Sequence, residues 1–151
     1  MLTLYKPAMN DLWFRQRLLA DPETMSYNEK WGGVIDFSGD RWQDWYEKWM
    51  DREPGRFYRY LRNENGEFVG EIAFHAEEGK CLLSVIIYAP LRKKGYGREG
   101  LRLLCAAAKE AGYTEVWDDI ALDNPAENLF LSEGFTEECR DADCVRLRKT
   151  L

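Results

Sequence analysis

The chain has 151 residues, 45% of them hydrophobic and 32% charged, with 27 acidic against 21 basic side chains and a net charge of −6. That length supports one compact domain spanning residues 1–151, and the acidic balance argues against a general nucleic-acid binder, which needs a concentrated positive surface. No apolar run of about 18 residues is present to span a bilayer, no signal-peptide pattern occupies Met1–Lys6, and Cys81, Cys105, Cys139 and Cys144 form no Cys-x-x-Cys pair, so a cytosolic protein with free thiols, no metal and no membrane partner is expected.

Leu2 to Tyr5 alternates as a short strand, and Asn10 or Asp11 is placed to cap an amphipathic helix that runs to about Ala20 and closes at Pro22. The stretch from Glu23 to Gly39 has no steady period and contains Gly32-Gly33, which reads as an ordered surface loop. Asp40 opens a second helix whose Trp42, Trp45, Tyr46 and Trp49 recur at spacings of three and four. After a breaker at Pro54-Gly55, two strands, Phe57–Leu61 and Phe68–Phe74, flank Asn63-Glu-Asn-Gly66, a hairpin sequence. A polar turn at Glu77–Lys80 leads to Cys81–Tyr88, apolar enough for a central strand buried on both faces. A helix follows from Gly95 to Gly112, then a strand from Glu115 to Ala121. Asn124, Pro125 and Glu127 supply a cap, a first position and a capping box for a helix to about Ser132. Strands Phe135–Cys139 and Cys144–Leu147, turned at Asp141–Asp143, complete the order.

The strongest chemical signal lies between the Ser84–Tyr88 strand and the helix after it, in the loop Arg92-Lys-Lys-Gly-Tyr-Gly97. A helix N-terminus presents unpaired amides and a positive dipole end, and glycines admit an anion close to the backbone. Arg92, Lys93, Lys94, Arg98 and Arg102 concentrate positive charge there in an otherwise acidic chain, so phosphate would be attracted locally. No Gly-Lys-Ser/Thr ending supports a P-loop. Gly95-x-Gly97-x-x-Gly100 fits the letters of the dinucleotide pattern, but it follows strands of antiparallel character and no ribose-binding acid ends a second parallel strand.

Arg92-x-x-Gly95-x-Gly97 after a strand resembles the acyl-CoA signature Gln/Arg-x-x-Gly-x-Gly/Ala of the GNAT superfamily of N-acetyltransferases. Asp123-Asn-Pro-Ala-Glu-Asn-Leu-Phe-Leu-Ser-Glu-Gly-Phe135 is similar to its second hallmark, Asn-x-x-Ala/Ser-x-x-Leu-Tyr-x-x-x-Gly-Phe. The resemblance covers nearly the whole chain, Leu2 to Leu147. It implies an α/β (α+β) fold with a central mixed, mostly antiparallel sheet of six to seven strands, about four flanking helices, and two splayed central strands forming an acyl-CoA cleft.

Acetyl-CoA is the cosubstrate so implied. The backbone of Ile86, Ile87 and Tyr88, on a bulged strand, would pair with its pantetheine arm, an amide near Ile87 would polarise the thioester carbonyl, and the amides of Lys93, Lys94, Gly95, Tyr96, Gly97 and Arg98 would hold the pyrophosphate beside Arg92. Two positions depart from the hallmark: Asp123 stands where Asn is usual, and Phe130 where many members carry a Tyr that protonates the departing thiolate. For the general base, Glu71 and His75 lie four apart and face one side of a strand, while counting back from Arg92 places Cys81 where some relatives have a catalytic Glu.

In the family the acceptor is selected largely by the first two helices and their connection. Here Tyr27, Trp31 and Asp36, with Asp118 and Asp119 on the splayed strand, combine aromatic rings and carboxylates suited to a cation. The Trp42, Trp45 and Trp49 stripe is read as helix packing. The resulting expectation is acetyl transfer from acetyl-CoA to a primary amine of a small metabolite by direct attack. A catalytically weak acyl-CoA-binding or regulatory module, favoured by Phe130, and peptide or protein N-acetylation stand beside it, as does assembly as a homodimer.

Overall fold

The computed structural model describes residues 1–51 and 55–151. Seven strands, β1 (Thr3–Tyr5), β2 (Arg56–Arg62), β3 (Phe68–Glu77), β4 (Lys80–Ile87), β5 (Glu115–Ala121), β6 (Thr136–Arg140) and β7 (Cys144–Thr150), form one sheet in the order β1-β2-β3-β4-β5-β7-β6. Four helices accompany it: α1 (Trp13–Ala20), α2 (Trp42–Met50), α3 (Tyr96–Glu110) and α4 (Ala126–Ser132). All pairings are antiparallel except β4 with β5, which are parallel and meet at the single register pair Leu82↔Trp117.

The two faces of the sheet have different covers. On one, Ile72 and Phe74 of β3, Cys81 and Leu83 of β4, Val116 and Ile120 of β5 and Val145 and Leu147 of β7 pack with Leu101, Leu104 and Ala108 of α3 and Phe130 of α4. Each fully buried Leu of that set contributes about 1.5–3 kcal/mol of apolar burial. On the other face Tyr58, Tyr60 and Ala73 meet Phe14 and Leu18 of α1 and Trp45 and Trp49 of α2. The α2 stripe is packing, as its period implies: Trp45 lies edge-on to Tyr58 at 4.7 Å and to Phe37 at 5.5 Å, and Trp42 Nε1 donates to the Phe37 carbonyl.

Several local expectations need correction. The Asp11 carboxylate accepts the Ala8 N–H and the Tyr5 hydroxyl, so it organises the 3-10 turn Met9–Asp11, and α1 starts after Leu12 with no side-chain cap. β4 is not buried on both faces: Cys81 and Leu83 are, whereas Ser84 is exposed and Ile86 and Ile87 are half-buried, because the strand leaves β5 immediately after Leu82. Nor does a bulge in the β3–β4 ladder cause that departure, since its register runs unbroken from Glu77↔Lys80 to Gly70↔Ile87. The Asn124 side chain caps α4 by accepting the Ala126 N–H at 2.9 Å, but Glu127 does not close a capping box; it pairs with Arg140. Of the breaker at Pro54-Gly55, Pro54 lies outside the described residues. None of the described helices is long and apolar enough to cross a membrane.

Candidate active site

Beyond the Leu82↔Trp117 pair the edges of β4 and β5 diverge and leave a cleft of about 400 Å³. Its walls are Leu82–Ile86 of β4, Asp118–Ala121 of β5, His75 and Glu77 of β3, Asn124, Ala126 and Phe130 at α4, and Tyr27, Asn28 and Trp31 from the loop between α1 and α2. No Lys or Arg lines it among the described residues, while Glu77, Asp118 and Asp119 do.

The backbone facing this cleft follows from the β3–β4 ladder. Tyr88 N–H donates to the Val69 carbonyl at 2.9 Å. In an antiparallel pair successive residues aim their amides and carbonyls to opposite sides. Ser84, Ile86 and Tyr88 are therefore committed to β3, and Val85 and Ile87 direct their backbone toward the gap. Of the three residues expected to pair with pantetheine, Ile87 turns its backbone to the gap, whereas Ile86 and Tyr88 turn theirs to β3 and pack their side chains with α1 and α2; Tyr88 lies edge-on to Phe14. Gly70, opposite Ile87, makes this strand end feasible, because a Cβ there would sit 2.3 Å from the Ile86 carbonyl oxygen.

At the end of β4 the loop reaches α3 through two left-handed residues, Lys93 (φ 65°) and Gly95 (φ 85°). The α-helical ladder begins with Glu99 N–H to the Gly95 carbonyl, so the amides of Tyr96, Gly97 and Arg98 precede it without helical acceptors. These amides, the helix dipole and the basic loop form an anion cradle that fits a pyrophosphate. Gly100, the third glycine of the pattern, serves packing: a Cβ there would meet Leu61 Cδ1 at 2.8 Å.

The cradle's arginines point elsewhere. Arg98 pairs with Glu133 and donates to Ser132, and Arg102 pairs with the same Glu133, whose carboxyl is held down at about 2 by hydrogen bonds first from Arg102 and then from Arg98. Arg92 donates to the carbonyls of Thr24 and Glu23. The side chains of Arg92 and Arg98 are thus engaged within the protein itself.

The two residues expected to act as base separate clearly. His75 lines the cleft, its ring against Trp49 and Nε2 3.5 Å from Glu77. Glu71 does not line it. It is 3% exposed, and both of its oxygens lie 2.7 Å from Nη1 of Arg15, whose guanidinium rests 4.5 Å from the Trp45 ring and 5.0 Å from that of Phe37. A carboxylate so engaged orders α1 against β3. Cys81 is also unavailable: burial, and then the neighbouring Cys105, push its thiol up to about 12.

On the acceptor side Tyr27 and Trp31 reach the cleft as expected, and Asp36 does not. Asp36 is exposed, accepts the Ser38 N–H and pairs with Arg41. Asp118 lies between buried Val116 and Ile120, and side chains two apart share a face, so its carboxyl points to the α4 side with Phe130. Burial, and then the charge of Asp119, push it well above the usual carboxylate range. Asp119 faces the other way and is held bidentately by Arg146 at 2.7 and 2.9 Å. Asp123 is exposed in the turn before α4, and its neighbour Asn124 lines the cleft instead. Phe130 is 3% exposed and stacks edge-on with Phe135.

Sequence reasoning missed Thr24, Asn28, Glu77, Ser84, Val85 and Asn124. Ser84, a polar residue interrupting an apolar run, was a visible sign of an open strand face. Nothing local marked Thr24. Among the described residues no group of three or more His, Cys, Asp or Glu is placed to hold a metal.

Residues 2–133 match the family model of the acetyltransferase (GNAT) domain. No curated protein sequence matches the chain. Among solved structures, spermidine N-acetyltransferase from Vibrio cholerae in complex with CoA and spermine superposes with a TM-score of 0.84 at 21% identity, covering 99% of this chain and 95% of that one. A dodecameric form of that enzyme gives 0.79 at 21%, covering 99% and 93%. At such identity the likeness to the two structures concerns the fold, whereas the family model matches most of the sequence. The chain belongs to the GNAT family of acyl-CoA-dependent acetyltransferases.

Proposed function

We propose that the protein transfers an acetyl group from acetyl-CoA to a primary amine of a small, cationic metabolite by direct attack. The carrying observation is the cleft itself: a backbone-lined gap with an anion cradle at one end and, within it, acidic side chains and aromatic rings with no Lys or Arg among the described residues. Aromatic faces and carboxylates favour an ammonium over neutral or acidic acceptors, and the spermine complex of the Vibrio enzyme makes polyamines the first acceptors to try.

Acetyl-CoA supplies the acetyl group as a thioester, whose thiol of pKa ~8.5 is a tolerable leaving group. The Ile87 amide donates to the thioester carbonyl and stabilises the charge that grows on its oxygen as nitrogen attacks. His75 takes a proton from the ammonium, directly or through water. The C–N bond forms, the nitrogen gives up its surplus proton to water as the C–S bond breaks, and the sulfur needs a proton that Phe130 cannot give. Asp118, on the Phe130 side of the sheet and holding its proton to higher pH than an ordinary carboxyl, is the donor the cleft provides.

Phe130 also favours a second reading, an acyl-CoA-binding module with little turnover. Thiol release measured with acetyl-CoA against a panel of amines separates the two. Turnover with polyamines, lower by about 10²-fold in His75→Ala, is expected; tight acetyl-CoA binding with no turnover on any amine would make the protein a binding module.

A further inference from the structure

The signature arginine of the cradle spends its side chain on the acceptor loop. Arg92 Nη2 donates to the Thr24 carbonyl at 2.8 Å, Nη1 to that of Glu23 at 3.4 Å, and the guanidinium lies 5.8 Å from the Tyr27 ring centroid. Thr24 answers from the other side. It is 2% exposed, its Oγ1 accepts the Ala89 N–H at 3.0 Å just beyond the end of β4, and it donates to Asp21, whose carboxylate also accepts the Thr24 N–H at 3.2 Å. Thr24 and Glu71 are the two buried polar residues among those described. One forms the Arg15 pair, and the other joins the start of the α1–α2 loop to the entrance of the cradle.

We propose that Arg92 is a positioning residue for the acceptor: with Thr24 it fixes residues 21–28 against the end of β4, and so sets where Tyr27, Asn28 and Trp31 stand over the cleft. A hydrogen bond to a charged donor contributes about 1.5–3 kcal/mol, and leaving the buried Thr24 carbonyl unpaired adds to the loss, so two such bonds are enough to hold a loop that has no regular ladder. The same arginine's backbone begins the run whose amides would donate to the pyrophosphate. Ordering of the cradle by acyl-CoA is therefore passed to the amine site through one side chain, and the two substrates assist each other's binding. The assignment rests on the reading that the amine enters beside Tyr27 and Trp31.

The test compares Arg92→Ala, Arg92→Lys and Thr24→Val with the parent protein by calorimetry with acetyl-CoA, amine kinetics and hydrogen exchange. Acetyl-CoA affinity is expected within about threefold of the parent, while KM for the best amine rises about tenfold or more in Arg92→Ala and Thr24→Val and recovers in part in Arg92→Lys. Exchange should quicken in residues 21–31 and stay unchanged in residues 96–110. Loss of acetyl-CoA affinity by tenfold or more, with amine KM and exchange at 21–31 unchanged, would assign Arg92 to the phosphate and overturn the proposal. If the parent protein turns over no amine, the acetyl-transfer reading fails, and the calorimetric and exchange measurements still decide what Arg92 holds.

Discussion

At the scale of single residues, Asp118 shows how position sets chemistry. Its folded-state carboxyl is raised by burial and by Asp119, with His75 and Glu77 lining the same cleft. The sign follows from linkage: the folded chain keeps a proton that the unfolded chain releases near pH 4, so the stabilisation is complete below about that pH and is lost as pH rises through the folded-state value. Asp118→Asn, which cannot ionise, should match the parent in urea unfolding near pH 4 and exceed it at pH 8. In kinetics the same variant should lose about 10²-fold in kcat, and adding Phe130→Tyr should restore much of it. Unchanged kcat in Asp118→Asn would remove it as the proton donor. Glu71 carries the complementary lesson. Period-two alternation correctly placed it on the face of His75, but Arg15, 56 residues earlier in the chain, decides what that carboxylate does. No strand pattern contains the helix that will lie over it.

At the scale of elements, chain order and the strand and helix spans were readable because each rests on local patterns: alternation in β1, the Asn-Gly turn between β2 and β3, helical spacing in α3 and the Asn124 cap of α4. The strand-to-helix connection at Arg92–Gly97 was readable for the same reason, since left-handed backbone and free first-turn amides are properties of a short stretch. Gly95, at φ 85°, admits an L side chain only with strain. A Cβ at Gly97 would make ordinary contacts, 3.5 Å to Leu129 and 4.0 Å to Ile87, and a larger group would fill the space between α3, α4 and β4. Gly95→Val and Gly97→Val should thus each lower acetyl-CoA affinity by about tenfold or more, seen by calorimetry, with the far-ultraviolet circular dichroism of the parent retained. Unchanged affinity would rule out the cradle as the pyrophosphate site. The directions of the arginine side chains were not readable, because Glu133 and Thr24, which claim them, come from distant elements.

At the scale of the whole molecule, the family and topology were available from two motifs in order, while the acceptor side was only half visible. Tyr27 and Trp31 stood out as aromatics in a polar loop, but the same composition made Asp36 look equivalent, and only its turn toward Arg41 separates it. The sheet itself has a mechanical consequence. Strands β1 to β4 form one plate and β5, β7 and β6 another, and within the sheet the plates touch at one rung, Leu82 beside Trp117. That seam has one ladder pair, and α3 packs in a single buried cluster with strands of both plates. Acyl-CoA laid along Val85 and Ile87 would add the rungs that the strands lack. Held at about 100 times its Kd it would contribute ~2.7 kcal/mol of stability and raise Tm by about 5–10 °C, with the protection in hydrogen exchange falling on the mouth of the seam. Protection falling elsewhere than on residues 83–87 and 118–121 would mean that the ligand does not bridge the plates. The gap lies along the line of the sheet with the fewest ladder pairs, so loading a ligand there and bracing the sheet would be one event.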